Sequence, residues 1–444
     1  MAGARKDPPP LASGELCLGI DIGTNGARMI AVDGEGHAVA RAVQPMPPPE
    51  RQAGRAEQDP QIWWQAVLRA FALLAGEIDL SRVRRIAVDG TSGTFLLLDE
   101  TGNPRGPGIM YNDARGGAAA KRIAAVAPGD SGAHGATSAL ARLMAVRDAD
   151  EDARVLPALH QADWIAGRLA GRFGVSDENN ALKMGYDPVA RAWPGWIESL
   201  GVARTLLPEV RPPGALLGPV APAMARLTGL SPGAEIRIGT TDGIAAFLAT
   251  GAAGIGDAVT SRGTTLVVKV LAERPVFDLE SGVYSHRLGE RWLAGGASNS
   301  GGAALLAHFT AERIVQLTPA LKPERPTGLH YYPLPAKGER FPIRDPEKSF
   351  EIARRPADDA VFLQGLLEGV AEVEALAYRR LAELGAPAPR RVLTVGGGAR
   401  NEAWTRIRSR CLRVPVRMAV ETETAYGTAL LALHGGPPPG AGAA

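Results

Sequence analysis

The sequence predicts two similar α/β domains in one chain. Its 444 residues exceed what one ordinary hydrophobic core holds, so two domains of about 200 residues each are expected. Short strands joined by glycine-bearing turns, followed by alternating strand and helix, occur once from residue 16 and again from residue 236. Glycine-rich turns stand at strand ends in both halves, at 21–26, 262–265 and 396–401.

The first half opens with the apolar run Leu16 to Ile20, closed by Asp21-Ile22-Gly23-Thr24-Asn25-Gly26. A second run, Ala27 to Val32, the turn Asp33 to Gly36 and a third run, His37 to Val43, complete a β-meander. Asp59-Pro60 signals a helix start, and Trp63, Val67, Ala70 and Phe71 follow at helical spacing. Val83 to Val88 predicts a strand, Asp89-Gly90-Thr91-Ser92-Gly93 a turn, and Thr94 to Leu98 another strand. Helical sequence dominates 114–172. The second half starts with a short strand, Ile236 to Ile238, a turn over 239–243 and a helix from Ile244 to Ala249. Strands at 258–261 and 265–271 flank Arg262-Gly263-Thr264. A long helix covers 360–384, and Val392 to Val395 enters the turn 396–401 with a helix beyond. The expected divisions are a disordered leader over 1–13, domains over 14–235 and 236–434, and a flexible low-complexity tail over 435–444. Ser231-Pro232-Gly233 reads as the link between halves, with a hinge over 230–240.

Composition excludes several functions. Basic and acidic residues number 49 and 47, which leaves no electrostatic footprint for nucleic acid. Two cysteines, Cys17 and Cys411, rule out a disulfide framework, and the seven scattered histidines show no paired metal-ligand spacing. No stretch of about 18 apolar residues spans a membrane, and the N-terminus lacks a signal-peptide pattern, so a cytoplasmic location is expected. A monomer or homodimer is expected.

The chemistry concentrates at strand ends. Glycine turns let backbone N–H groups approach a phosphate closely. None of the three matches the Walker or dinucleotide pattern, and each alone is an ordinary turn. Together, with threonine hydroxyls in two of them, they suggest a nucleotide clamped between domains. Asp21 and Asp242 are read as the two acids at apolar strand ends. Asp242 either caps its helix or serves as the general base for a hydroxyl attacking a γ-phosphoryl group. Asp21 either closes the first hairpin or faces the phosphates and orients Mg²⁺ through water, with Asp242 the other acid near the ion.

These motifs resemble the FGGY carbohydrate kinases along nearly the whole chain. The resemblance rests on Gly19 to Arg28, on Asp163-Trp164-Ile165 to Leu169-Ala170-Gly171, on Gly239-Thr240-Thr241-Asp242, on Gly263-Thr264-Thr265, and on Gly396-Gly397-Gly398 with Asn401. It implies two actin-like, ribonuclease H-like domains, each a mixed five-stranded sheet flanked by helices, with an interdomain active-site cleft. It implies that Asp242 is the catalytic base, with Asp21 beside it. ATP and Mg²⁺ are implied, with nucleotide contacts at Thr24, Gly263, Thr264, Thr265, Gly397, Gly398 and Asn401. Within the family, the segments 89–94, 180–186, 282–286, 295–299 and 331–342 are similar to short D-ribulose kinases. That likeness implies phosphorylation of D-ribulose, with sugar contacts from Asp21, Gly26, Ser92 and Asp242. Asn25 stands where those relatives usually carry Ser, and its amide still bonds a hydroxyl or phosphate oxygen. Tyr111-Asn112-Asp113-Ala114-Arg115 resembles a xylulokinase segment, so Asp113 either reads sugar hydroxyls or bonds a neighbouring backbone amide. D-xylulose is the alternative acceptor. A non-catalytic nucleotide- or sugar-binding protein of the same fold is the alternative class, but the sequence offers no evident DNA-binding or chaperone substrate domain.

Overall fold

The structure, a computed structural model, describes residues 8–350 and 354–438, without the side chains of 154 and 155. The chain forms two units that divide after Ala249 and again after Thr422.

In the first unit, β1 (Leu16–Ile22), β2 (Gly26–Val32) and β3 (Ala38–Pro45) form the expected meander. Helix α1 (Pro60–Leu74) starts where the sequence signals it: the Asp59 carboxylate accepts from the Gln61 amide, and Pro60 occupies the first turn. Its apolar stripe brings Trp63, Val67, Ala70 and Phe71 into the core, where Trp63 meets Trp164 edge-to-face at 6.3 Å. Burial of Val67 and Phe71 contributes about 1.5–3 kcal/mol each. There follow β4 (Val83–Gly90), α2 (Gln161–Ala170), β5 (Leu216–Pro219), β6 (Glu235–Thr241) and α3 (Asp242–Ala249). The sheet order is β5-β6-β4-β1-β2-β3, with β6, β4 and β1 mutually parallel.

The second unit repeats the plan. Strands β7 (Asp257–Arg262), β8 (Leu266–Ala272), β9 (Tyr284–Leu288) and β10 (Arg291–Ser298) precede the long helix α4 (Asp359–Glu383). Strand β11 (Arg391–Val395), helix α5 (Glu402–Leu412) and strand β12 (Val416–Met418) complete it. The order is β9-β10-β8-β7-β11-β12, with β7, β11 and β12 parallel. Each sheet therefore carries the five expected strands plus one antiparallel edge strand, β5 in the first and β9 in the second.

The final helix, α6 (Thr424–His434), returns to the first unit. A Cβ on Gly19 of β1 would stand 1.9 Å from the Ala425 carbonyl oxygen, and one on Gly427 would stand 1.9 Å from that of Ala245. Glycine at both positions lets α6 lie backbone-to-backbone against β1 and α3.

The structure corrects four expectations. The boundary at 235/236 falls inside the first unit, because β6 pairs in parallel with β4 and so belongs to the first sheet. Ser231-Pro232-Gly233 is consequently a turn before β6, and the chain passes between units at Ala249/Thr250 and Thr422/Glu423 instead. The expected turn over 239–243 is absent, since β6 runs through Thr241 directly into α3. The described part of the leader is anchored: Arg85 donates to the Pro9 carbonyl, and Leu11 packs beside α6. Residues 1–7 of the expected leader and 439–444 of the expected tail lie outside the described residues.

Candidate active site

In the first unit, parallel strands bring three acids to one sheet edge. Asp21 of β1 is in register with Asp89 of β4, and Asp89 with Thr240 of β6. Asp242 follows β6 at the head of α3. The C-terminal ends of parallel strands are where α/β sheets place ligands. Asp21 is buried and accepts from Arg28 Nη1 at 2.9 Å across the hairpin. Asp242 is half-buried, and its Oδ1 accepts from the Gly243 amide at 2.6 Å. Asp89 is fully buried and accepts from the Thr428 hydroxyl on α6. Burial first, and the neighbouring Asp21 charge second, push the Asp89 carboxyl well above the usual carboxylate range. Protonation of Asp89 lowers the negative charge around its two neighbours.

The remaining predicted residues of this unit fall on the adjoining turns. Thr24 and Asn25 form the β1–β2 turn, closed by the Gly23 amide donating to the Gly26 carbonyl at 3.0 Å. A Cβ on Gly26 would lie 2.9 Å from the Gln44 carbonyl oxygen, so glycine keeps this turn tight against β3. Ser92 lies in the loop after β4, its Oγ buried and without a hydrogen-bond partner. Arg142 holds that loop by donating to the Gly93 and Met110 carbonyls at 2.6 and 2.5 Å. Burial lowers the Arg142 pKa to about 10, which leaves it cationic.

Asp113 does not join them. It is fully buried, accepts from the Ala56 amide at 2.7 Å, and is paired through both oxygens to Arg115. Burial alone raises its pKa, but these bonds outweigh it and hold the carboxyl below the usual range. Of its two expected readings, sugar contact or bond to a neighbouring backbone amide, the geometry fits the second.

The second unit contains a cavity of 670 Å³ lined by the predicted nucleotide residues Gly263, Thr264, Gly397, Gly398 and Asn401. Thr265 lies at the base of the same loop, its carbonyl accepting from the Gly263 amide at 3.2 Å. The Gly263 and Thr264 carbonyls accept from the Gly302 and Ala303 amides, which anchors the loop from behind. Gly396, at φ +89°, has the left-handed geometry that glycine adopts at no steric cost. Asn401 caps α5 by accepting from the Trp404 amide and donates to the Thr318 hydroxyl at 3.2 Å. Apolar walls from Leu305, Ile314, Val315 and Leu367 suit a flat base, and the glycine turns suit phosphates.

Each unit carries a sheet of actin-like topology, the first with acids and the second with a glycine-walled cavity at its strand ends. The N-terminal domain of the FGGY family of carbohydrate kinases matches residues 16–249, and the C-terminal domain matches 258–436. The chain belongs to the FGGY family of carbohydrate kinases, whose co-substrate is ATP. It is 25% identical over 406 residues to a xylulose kinase of Escherichia coli, covering 88% of this chain and 83% of that one. It is also 25% identical over 469 residues to an autoinducer-2 kinase of Yersinia pseudotuberculosis, with coverages of 95% and 86%. Among solved structures, a xylulose kinase from Rhodospirillum rubrum superposes with a TM-score of 0.84 at 26% identity, covering 94% of this chain and 89% of the other. One from Brucella ovis gives 0.85 at 24% identity, with coverages of 96% and 93%. Among the described residues, no helix is long and apolar enough to cross a membrane.

Sequence reasoning passed over Asp89 and Arg262. Asp89 follows the apolar Ile86-Ala87-Val88 just as Asp21 follows Leu16 to Ile20, so a shorter form of the signal that found one was present for the other. Arg262 looked like a flank of the glycine turn, and nothing in its neighbours announced that it would be buried.

Proposed function

We propose that this carbohydrate kinase transfers the γ-phosphoryl group of ATP to the terminal hydroxyl of a ketopentose, D-ribulose, giving D-ribulose 5-phosphate. The observation that carries the reading is the half-buried carboxylate of Asp242 on the sheet edge that also bears Asp21 and the 23–26 turn. Asp242 takes the proton from the sugar hydroxyl as its oxygen bonds to the γ-phosphorus, while the bond from that phosphorus to the bridging oxygen breaks and ADP leaves. Ser92 and Asn25 supply hydroxyl and amide groups for the sugar. Gly263, Thr264, Thr265, Gly397, Gly398 and Asn401 hold the nucleotide, with Thr24 toward its phosphates. The donor set suits Mg²⁺: Asp21 and Asp242 offer hard carboxylate oxygens, and both would hold the ion through water. When bound, Mg²⁺ neutralises phosphate charge.

D-Ribulose is favoured by the segments similar to short D-ribulose kinases, and the bonds of Asp113 to Arg115 and Ala56 support reading it as a structural residue and not as the sugar contact of the xylulokinase-like segment. D-Xylulose is the second reading, motivated by the names of the relatives. A panel of ketoses assayed for ADP release decides between them. Release with D-ribulose and little with D-xylulose supports the proposal; the reverse order replaces it, and no release with any pentulose from folded protein overturns it.

A further inference from the structure

We propose that Arg262, which lies stacked on Trp404, is a nucleotide-binding residue that pairs with the polyphosphate. The inference rests on the kinase reading and adds a cation to its nucleotide cavity.

Arg262 is the last residue of β7, next to Gly263 of the phosphate-type turn, and it is 3% exposed. Its guanidinium carbon lies 3.3 Å from the centre of the Trp404 ring, and Nη2 donates to the Gly398 carbonyl at 2.5 Å. Nε and Nη1 are buried and have no hydrogen-bond partner. A buried guanidinium with two unsatisfied nitrogens is costly, and such groups are retained where a ligand completes them.

Among the described residues, no carboxylate is hydrogen-bonded to it or paired with it. The nearby acid is Glu374, and both of its oxygens are taken by Arg408 at 2.6 Å, with Oε1 also accepting from the Thr260 hydroxyl. Arg262 and Arg408 therefore share one carboxylate, and one positive charge remains in excess. Burial, then the Arg408 charge, pushes the Arg262 pKa well below its ordinary value. Among the described residues lining the 670 Å³ cavity, none is acidic, and the charged ones are Arg262 and Arg400. A cavity with apolar walls at the base end and two arginines beside glycine turns is complementary to an adenine nucleotide carrying several phosphate charges. Glycine at 398 is part of the arrangement, since a Cβ there would lie 2.7 Å from Arg262 Nη2.

The test titrates ATP, ADP and adenosine calorimetrically into the full chain and into Arg262→Met, which keeps the side-chain length and removes the charge. Loss of charge-assisted bonds to phosphate predicts affinities for ATP and ADP about ten- to a hundredfold weaker, with adenosine changed less than about threefold. A merely structural arginine would weaken adenosine as much as ATP, or would lower the melting temperature and leave all three affinities unchanged; either result overturns the assignment. Should Arg262→Met fail to fold, Arg262→Lys carries the test: a smaller loss confined to ATP and ADP supports the proposal, and an equal loss for adenosine overturns it. Wild-type protein that binds none of the three would instead overturn the kinase reading itself, and this assignment with it.

Discussion

The two units share a sheet plan and differ in the charges they bury. In the first, strand ends carry Asp21 and Asp89, with Asp242 directly after β6, and two further buried acids, Asp163 and Asp177, lie close to each other. Burial raises the pKa of Asp89 and Asp163 well above the usual range, so their protonation limits the charge, whereas Asp177, raised to about 6, stays largely ionised at neutral pH. In the second unit the matching strand end of the meander is Arg262, and the interior holds the Glu374–Arg408 pair, fully buried. Under the proposed mechanism, one scaffold presents a proton-accepting face and the other a phosphate-holding one. Topology therefore says where a site forms, and the strand-end residue says what it does.

The largest test of that contrast is Glu374→Gln. Leaving Arg408 buried without its partner should cost about 3–5 kcal/mol, read as a lower denaturation midpoint. Wild-type stability in this variant would mean that the second unit does not depend on paired buried charge.

His160 sharpens the comparison from the first unit. Burial holds its pKa at about 3, below the ordinary 6.5. The unfolded chain takes up the proton first, so this contribution is complete above pH 6.5 and is lost as pH falls toward 3. By pH 5 the loss is about 2 kcal/mol. His160→Gln should flatten the acid limb of stability between those values. Asp89 and Asp163 act in the opposite sense, losing stability as pH rises, so only the difference between wild type and variant isolates His160. Equal slopes for the two proteins would count against a neutral buried imidazole.

Asp113→Asn gives the smallest effect on activity. It should lower stability by about 1–3 kcal/mol through lost bonds to Ala56 and Arg115, and leave the KM for the ketose within about twofold. A large rise in KM at unchanged stability would return Asp113 to the sugar site.

Much of the fold was legible because its elements carry local signals. The meander, the cap at Asp59-Pro60 and the helix α4 all stand where turns and periodicity place them. The boundary was not, because β6 belongs to the first unit through pairing with residues 85–90, far away in sequence. Ser231-Pro232-Gly233 looks locally like a linker, and only the sheet shows otherwise. The return of α6 was hidden for the same reason, although Gly19 and Gly427 permit it. In the site, Asp21, Asp242 and the glycine turns were readable from strand-end position. Asp89 was read as the start of a turn, and Asp113 stayed open between sugar and a backbone amide, because the two-residue reach of Arg115 back to it is visible only in three dimensions.

The central claim is that Asp242 of the first unit deprotonates the sugar while the second unit holds ATP, and Asp242→Asn tests it most directly. Turnover should fall by about a thousandfold or more, with calorimetric affinities for ATP and for the ketose unchanged within about threefold. Turnover near the wild-type rate, with the protein folded and both ligands bound, would contradict the account.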